Sequence, residues 1–191
     1  EILSGVPEDA FLHFSEPTKL TFYTLNRSQI IGSASIPGCP EGTSISPSCR
    51  AQTLILDDRR FLLNPQSQAF RTWQAGRLLG PLNFYGYPVD TSKIVWIDEH
   101  SPGFSWALSI GWQAVVQSGG GIREFSGRRP GDEGLESDYS GAVANWLTFL
   151  AARADQAGKK VLVNANTVAL HPLLLPQITA IRGMSTESKH Q

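Results

Sequence analysis

The sequence predicts an α/β fold with a largely parallel sheet, and three observations support this prediction. Short apolar runs alternate along the chain with segments of helical periodicity, which is typical of βα units. Residues 94–97 and 161–163 are apolar throughout, as expected for interior strands that helices cover on both faces. The spacing of these segments suits right-handed crossovers and argues against a β-sandwich.

The first half of the chain predicts two opening strands and one βα unit. Residues 9–14 form a short apolar run that predicts a buried strand, and residues 19–24 alternate as a second strand, with a hairpin as one way to join them. Residues 60–63 end at Asn64-Pro65, a combination that stops a strand and starts a helix. The helix that follows has Phe70 and Trp73 as apolar anchors and is expected to stop at Gly80.

The second half predicts two further units separated by a long loop. Residues 93–99 predict a strand that ends in two carboxylates, and residues 104–117 have apolar spacing compatible with a helix. Residues 119–139 are rich in glycine and charge and predict a long polar loop. Residues 140–156 predict an amphipathic helix, residues 159–166 a buried strand, and residues 178–187 one more strand.

Length and charge narrow the class of protein. The chain has 191 residues, enough for one core, so we expect a single domain over residues 1–191. Its 16 basic and 17 acidic residues nearly cancel and form no basic block, which argues against nucleic acid and anionic membrane surfaces as partners. Every apolar run falls short of the roughly 18 residues that a membrane-spanning helix needs.

The two cysteines lie in a loop over residues 37–50 that is rich in glycine, proline and serine. Cys39 and Cys49 are ten residues apart, with no histidine nearby to complete the four-ligand set that zinc wants. A disulfide is the favoured interpretation, and two unrelated free thiols are the alternative. A disulfide predicts an extracellular or cell-surface location.

Polar side chains at the carboxyl ends of the predicted strands form the candidate site, because parallel βα folds bind their ligands there. Asp98 and Glu187 are the candidate catalytic pair, since cleavage of a glycosidic bond needs two carboxyl groups that face one sugar. The candidate substrate-binding residues are Asn64, Glu99, His13, Asn164 and Asn166. The sequence has no cofactor motif and no metal-ligand pattern, so neither a cofactor nor a metal is expected.

Each candidate also has a structural interpretation. A carboxylate such as Asp98 at a strand end often caps a helix or forms an ion pair. Amide side chains often bond loop backbone groups, and a histidine such as His13 within an apolar run is more often packed than catalytic. Arg123 and Glu124, adjacent in the polar loop, are expected to pair with each other.

Four short segments, taken together, have the residue types and order of a known family. They are Phe11-Leu12-His13, Leu63-Asn64-Pro65 with Arg71, Val95-Trp96-Ile97-Asp98-Glu99, and Val161-Leu162-Val163-Asn164. This set resembles the glycoside-hydrolase-like (β/α) barrels. The resemblance implies a parallel-strand (β/α) barrel in which Asp98 is a catalytic or sugar-binding acid and Asn164 a pocket residue.

The number of predicted strands implies only part of such a barrel. We count roughly five or six strands rather than eight, so the chain is expected to be the later part of a longer barrel. The start of the sequence has no signal-peptide pattern, which fits an excised piece. Either self-association or a companion chain would supply the missing strands.

The expected function is hydrolysis of O-glycosidic bonds in polysaccharide through paired carboxylates and without a metal, with carbohydrate as the partner. The alternative is a non-catalytic module that binds carbohydrate or forms part of a surface assembly. A second carboxylate within reach of Asp98 separates the two hypotheses. A carbohydrate deacetylase is a third hypothesis, and the scattered histidines argue against the metal that it would need.

Overall fold

The structure is a computed structural model that describes residues 5–24, 28–55, 58–80, 94–97, 104, 114–164 and 183–185. Its elements in chain order are β1 (Thr18–Tyr23), β2 (Ile30–Ile36), β3 (Gln52–Ile55), β4 (Asp58–Phe61), α1 (Gln68–Leu79), β5 (Ile94–Ile97), β6 (Ala114–Ser118), α2 (Glu133–Gln156), β7 (Lys160–Asn164) and β8 (Gly183–Ser185). Three short 3-10 helices, Glu8–Ala10, Pro47–Cys49 and Arg123–Phe125, complete the set.

The chain divides into two compact units. Residues 8–64 and 103–139 form the first, named here the disulfide unit, and residues 1–7, 65–102 and 140–191 form the second, the helical unit. Compactness alone does not show that a unit folds independently, so the single-domain expectation stays a prediction.

A three-stranded antiparallel sheet forms one part of the disulfide unit. β1 lies in the middle and pairs with β2 on one side and β6 on the other. Leu20 and Phe22 of β1 are buried, and Leu20 lies opposite Ala34 and Val116 in the two registers. The outer strand β2 ends the sheet on one side.

The centre of the disulfide unit is the extended segment of residues 11–14. Its backbone forms bridges to three other parts of the chain: Phe11 to Leu63, His13 to Arg50, and Phe14 to Ile122. The antiparallel β3–β4 hairpin lies in sequence between two of these partners, Arg50 and Leu63. Phe11, Leu12, His13 and Phe14 are all buried, which agrees with the strand-like apolar run in the sequence.

The helical unit combines α1 and most of α2 with a small parallel sheet. The Ser67 hydroxyl caps α1 by accepting a hydrogen bond from the Phe70 backbone N–H at 3.1 Å. Buried residues of α2 recur every three or four positions, as the predicted amphipathic helix requires, at Val143, Leu147, Leu150 and Ala154. β7 pairs in parallel with both β5 and β8.

The prediction of a parallel-strand (β/α) barrel is wrong. Five of the eight described strands, β1, β2, β3, β4 and β6, pair in antiparallel, and the parallel pairing is limited to β5, β7 and β8. The described residues contain two α-helices and no closed barrel. Apolar periodicity identifies strands and helices, but it does not determine whether neighbouring strands run parallel or antiparallel.

Two element predictions in the second half are also wrong. Residues 114–117, expected to end a helix, belong to strand β6, where Val115 and Val116 suit a pleated strand and the following glycines end it. The predicted polar loop is shorter than expected, because α2 already begins at Glu133. Acidic residues at a helix start stabilise its N-terminus and do not require a loop.

Candidate functional site

Only some of the predicted site residues are among the residues that the structure describes. Asp98, Glu99, Asn166 and Glu187 lie outside them, so the catalytic pair and these two binding residues stay predictions. Asn164 is the last residue of β7, where only the backbone is described. Asn64 and His13 lie in the disulfide unit, and both are buried.

Asn64 is held by backbone groups near the start of the unit. Its backbone N–H donates to the Ala10 carbonyl at 2.8 Å, and its side-chain amide donates to the Asp9 carbonyl at 3.3 Å. These contacts fit the structural interpretation of a loop amide that satisfies the backbone. A substrate-binding role for Asn64 stays a prediction.

The other described candidate, His13, lies at the centre of a charged network. Its Nδ1 is 2.6 Å from Glu124 Oε1, and its Nε2 is 3.0 Å from Glu8 Oε1. The His13 backbone N–H also donates to Glu124 Oε2 at 3.0 Å. Glu8 in turn accepts hydrogen bonds from Arg50 Nε at 2.6 Å and from Arg50 Nη2. We call these four residues, Glu8, His13, Arg50 and Glu124, the His13 network.

The backbone around residues 11–14 determines how these side chains meet. Arg123 N–H donates to the His13 carbonyl at 2.9 Å, which brings the neighbouring Glu124 over the imidazole. On the other side, the bridge between His13 and Arg50 brings the guanidinium toward Glu8. The Arg50 guanidinium also lies 3.9 Å from the ring centre of Phe11, a cation–π contact. Tertiary pairing of three distant segments therefore creates the network.

The geometry requires a protonated imidazole while both carboxylates are ionised. An ionised carboxylate only accepts hydrogen bonds, so both ring nitrogens of His13 must donate. Burial lowers the pKa of His13, but the hydrogen bonds and charges of Glu124 and Glu8 outweigh burial and raise its pKa above the ordinary value. The hydrogen bonds from Arg50 lower the pKa of Glu8, against the opposing effect of burial.

A disulfide joins the same region. Cys39 and Cys49 are bonded, which confirms the predicted pair. Phe14 N–H donates to the Cys49 carbonyl and Cys39 N–H donates to the Phe14 carbonyl, each at 2.8 Å, so both cysteines bond the residue that follows His13. Arg123 holds the loop that the disulfide closes, through Nη2 to the Thr43 carbonyl at 2.8 Å.

The expected pairing of Arg123 with Glu124 is therefore wrong. Glu124 turns inward to His13, while Arg123 bonds the disulfide loop. Sequence reasoning also missed Glu8 and Arg50 as partners of His13. The one signal for them was the histidine itself, because a polar ring within an apolar run must find hydrogen-bond partners.

The His13 network has little capacity for chemistry on a substrate. Glu8 and Glu124 lie on opposite edges of the imidazole, so the ring fills the space between the two carboxylates. In an inverting glycosidase, that space of about 6.5–9.5 Å holds the sugar and the attacking water. Within the described part of the chain, no group of three or more His, Cys, Asp or Glu side chains could hold a metal ion.

The outer edge of β2 is the second feature with functional potential. No strand among the described residues pairs with the side of β2 that faces away from β1. Ile30 and Ile31 on this strand are 66% and 44% exposed, and residues 30–36 contain neither a charged residue nor a proline. Charges and prolines are the usual means by which proteins protect an edge strand from pairing.

Comparisons with known proteins add no relative. No protein-family model matches the chain, and no curated protein or solved structure matches it either. Together with the antiparallel sheets, this overturns the resemblance to glycoside-hydrolase-like barrels. In the residues described, no helix combines the length and the apolar character needed to cross a membrane.

Proposed function

We propose that this chain is a non-catalytic structural module of an extracellular or cell-surface assembly, and that it associates through the outer edge of β2. The observation that carries the proposal is an edge strand with exposed isoleucines and no protecting charge. Strand addition at such an edge gives affinity through main-chain hydrogen bonds. The Cys39–Cys49 disulfide supports an oxidising compartment.

The proposed occupant of this edge is β2 of a second copy. In an antiparallel pair centred on Ser33, Gly32 lies opposite Ala34 of the other copy, and Ile31 lies opposite Ser35. In such a pair, a charge near the centre of the strand lies close to the same charge of the other copy, and like charges opposite each other are destabilising. β2 contains no charge, so its sequence suits a symmetric pair. The two sheets would then join into one sheet of six strands.

Two observations on the described residues support assembly rather than sugar chemistry at His13. Both carboxylates of the His13 network are bonded to the ring between them, which leaves no gap for a sugar. The large apolar side chains that are exposed among the described residues are Ile30, Ile31, Ile45 and Ile94. Isoleucine favours strand pairing.

Sedimentation velocity of the full chain over a concentration series tests the proposal. We expect concentration-dependent dimers for the unaltered chain. The variant Ile31→Lys should weaken the dimer by roughly tenfold or more, since an edge lysine opposes strand pairing. Ile45→Lys is the matched control, because Ile45 is 38% exposed but lies in the disulfide loop.

Three results would overturn the proposal. A chain that stays monomeric at every concentration has no assembly edge, and equal effects of the two lysine variants would place the interface elsewhere. Release of reducing sugar ends from a polysaccharide panel by the unaltered chain, lost in Asp98→Asn, would restore the hydrolase hypothesis in its place.

A further inference from the structure

We infer that His13 is a pH-dependent latch, which as an imidazolium ties the 3-10 helix Arg123–Phe125 to Glu8 and Arg50 and which loosens that helix when it loses its proton. His13 has two ring contacts, one at each nitrogen. Both nitrogens lie within 3.0 Å of carboxylate oxygens, and the ring is fully buried, so water cannot replace either contact. No single neutral tautomer satisfies both contacts, because it has one N–H and one lone pair.

Loss of the proton leaves this partly buried network with an uncompensated negative charge. With His13 and Arg50 positive and Glu8 and Glu124 negative, the four groups sum to zero. Arg50 remains bonded to Glu8 after His13 deprotonates, so Glu8 keeps its counter-charge. Glu124 is only 13% exposed, and among its described contacts the cation that it bonds is His13. Glu124, which lies on the 3-10 helix Arg123–Phe125, is therefore the carboxylate left without a counter-charge.

Other charged groups around the ring do not replace the lost proton. Arg123 donates only its backbone N–H to His13, while its guanidinium bonds Cys39 and Thr43 of the disulfide loop. Asp9, beside Glu8, is exposed and would add negative charge. The charged groups at the His13 ring are thus Glu8 and Glu124, which bond it, and Arg50, which bonds Glu8.

The latch connects to a wider part of the unit through the neighbours of Glu124. Ile122 N–H donates to the Arg128 carbonyl, and Arg123 bonds the disulfide loop at Thr43. Loosening of Glu124 therefore reaches both the turn of residues 122–128 and the loop that the disulfide closes. The raised pKa of His13 determines the direction of the pH dependence. The restraint is complete below the ordinary pKa of histidine, and it disappears as the pH rises through the folded-state pKa.

The first test is a direct titration of the full chain by NMR. The ring 15N shifts of its four histidines, assigned sequentially, report the protonation state of each ring. We expect His13 to titrate above the ordinary value of about 6.5. Amide exchange of residues 122–128, corrected for its intrinsic pH dependence, should rise severalfold relative to β1 as His13 loses its proton.

A matched pair of variants links the two readouts to one carboxylate. In Glu124→Gln we expect the proton affinity of His13 to fall by roughly tenfold, which corresponds to one pKa unit, and the pH dependence of exchange to shrink. Asp155→Asn removes the same charge from a carboxylate that bonds the exposed Lys160 in the helical unit, and it should change neither readout. A His13 pKa at or below the ordinary value in the unaltered chain would overturn the inference, and this measurement needs no variant to fold.

A second result would also overturn the latch. If His13 titrates above its ordinary value but exchange of residues 122–128 keeps a constant ratio to that of β1 across the transition, protonation stabilises the whole unit and does not release this turn.

Discussion

The His13 network and the outer edge of β2 lie in the same unit and differ in charge: the network is built from paired charged side chains, and the edge has none. At His13, a fully buried imidazole and three partly buried charged side chains are matched with one another. On β2, the exposed side chains are uncharged, and no described strand pairs with the outer edge. A charge inside a protein must be matched internally, whereas an edge without charges is left able to pair with another chain. Stability and association should therefore respond to different substitutions.

Removal of Glu124 should have the largest effect on stability. Glu124→Ala leaves His13 buried with one carboxylate instead of two, and breaking a buried charged pair costs on the order of 3 kcal/mol. Urea denaturation at pH 6, where His13 is protonated in the intact network, measures the loss. Asp155→Ala is the control, since Asp155 pairs with the exposed Lys160 and should cost about 1 kcal/mol or less. Equal losses in the two variants would contradict a special role for burial at His13.

The positions of several elements could be predicted from the sequence, but their pairing could not. The apolar residues 11–14 are buried as expected, and the helical stripe through Leu147 and Leu150 lies in α2. The barrel prediction failed because a run such as residues 20–22 fits a crossover to a parallel strand and a turn to an antiparallel one equally well. In this chain β1 pairs in antiparallel with the strand that follows it, β2.

The site shows the same limit at the level of single residues. His13 was recognised as a candidate, but its partner Glu124 lies 111 residues further along the chain, so no local pattern connects them. Glu124 has Arg123 as its neighbour, and proximity in sequence made an Arg123–Glu124 pair the simplest expectation. The hydrogen bond from the Arg123 backbone N–H to the His13 carbonyl instead orients the two side chains toward different partners.

Removal of the disulfide should have the second largest effect on stability. The double variant Cys39→Ala and Cys49→Ala frees a loop of ten residues in the unfolded chain, and the chain-entropy model gives a cost of about 2.5 kcal/mol. Urea denaturation of the unaltered chain with and without reductant provides an independent measurement of the same quantity. Because Phe14 bonds both cysteines through its backbone, we also expect faster amide exchange at residues 13–15. A loss below about 0.5 kcal/mol would contradict the chain-entropy account of this disulfide.

The smallest effect is expected at the exposed ion pair of Arg128 and Asp138. These side chains are 43% and 54% exposed, so water already solvates both charges and screens their attraction. Asp138→Asn should change the free energy of unfolding by about 0.5 kcal/mol or less, and added salt should reduce even that difference. Urea denaturation at low and at high salt measures both effects. A loss as large as that of Glu124→Ala would show that burial does not distinguish the His13 network from the surface charges, because this exposed pair would then stabilise the unit as strongly as the buried one.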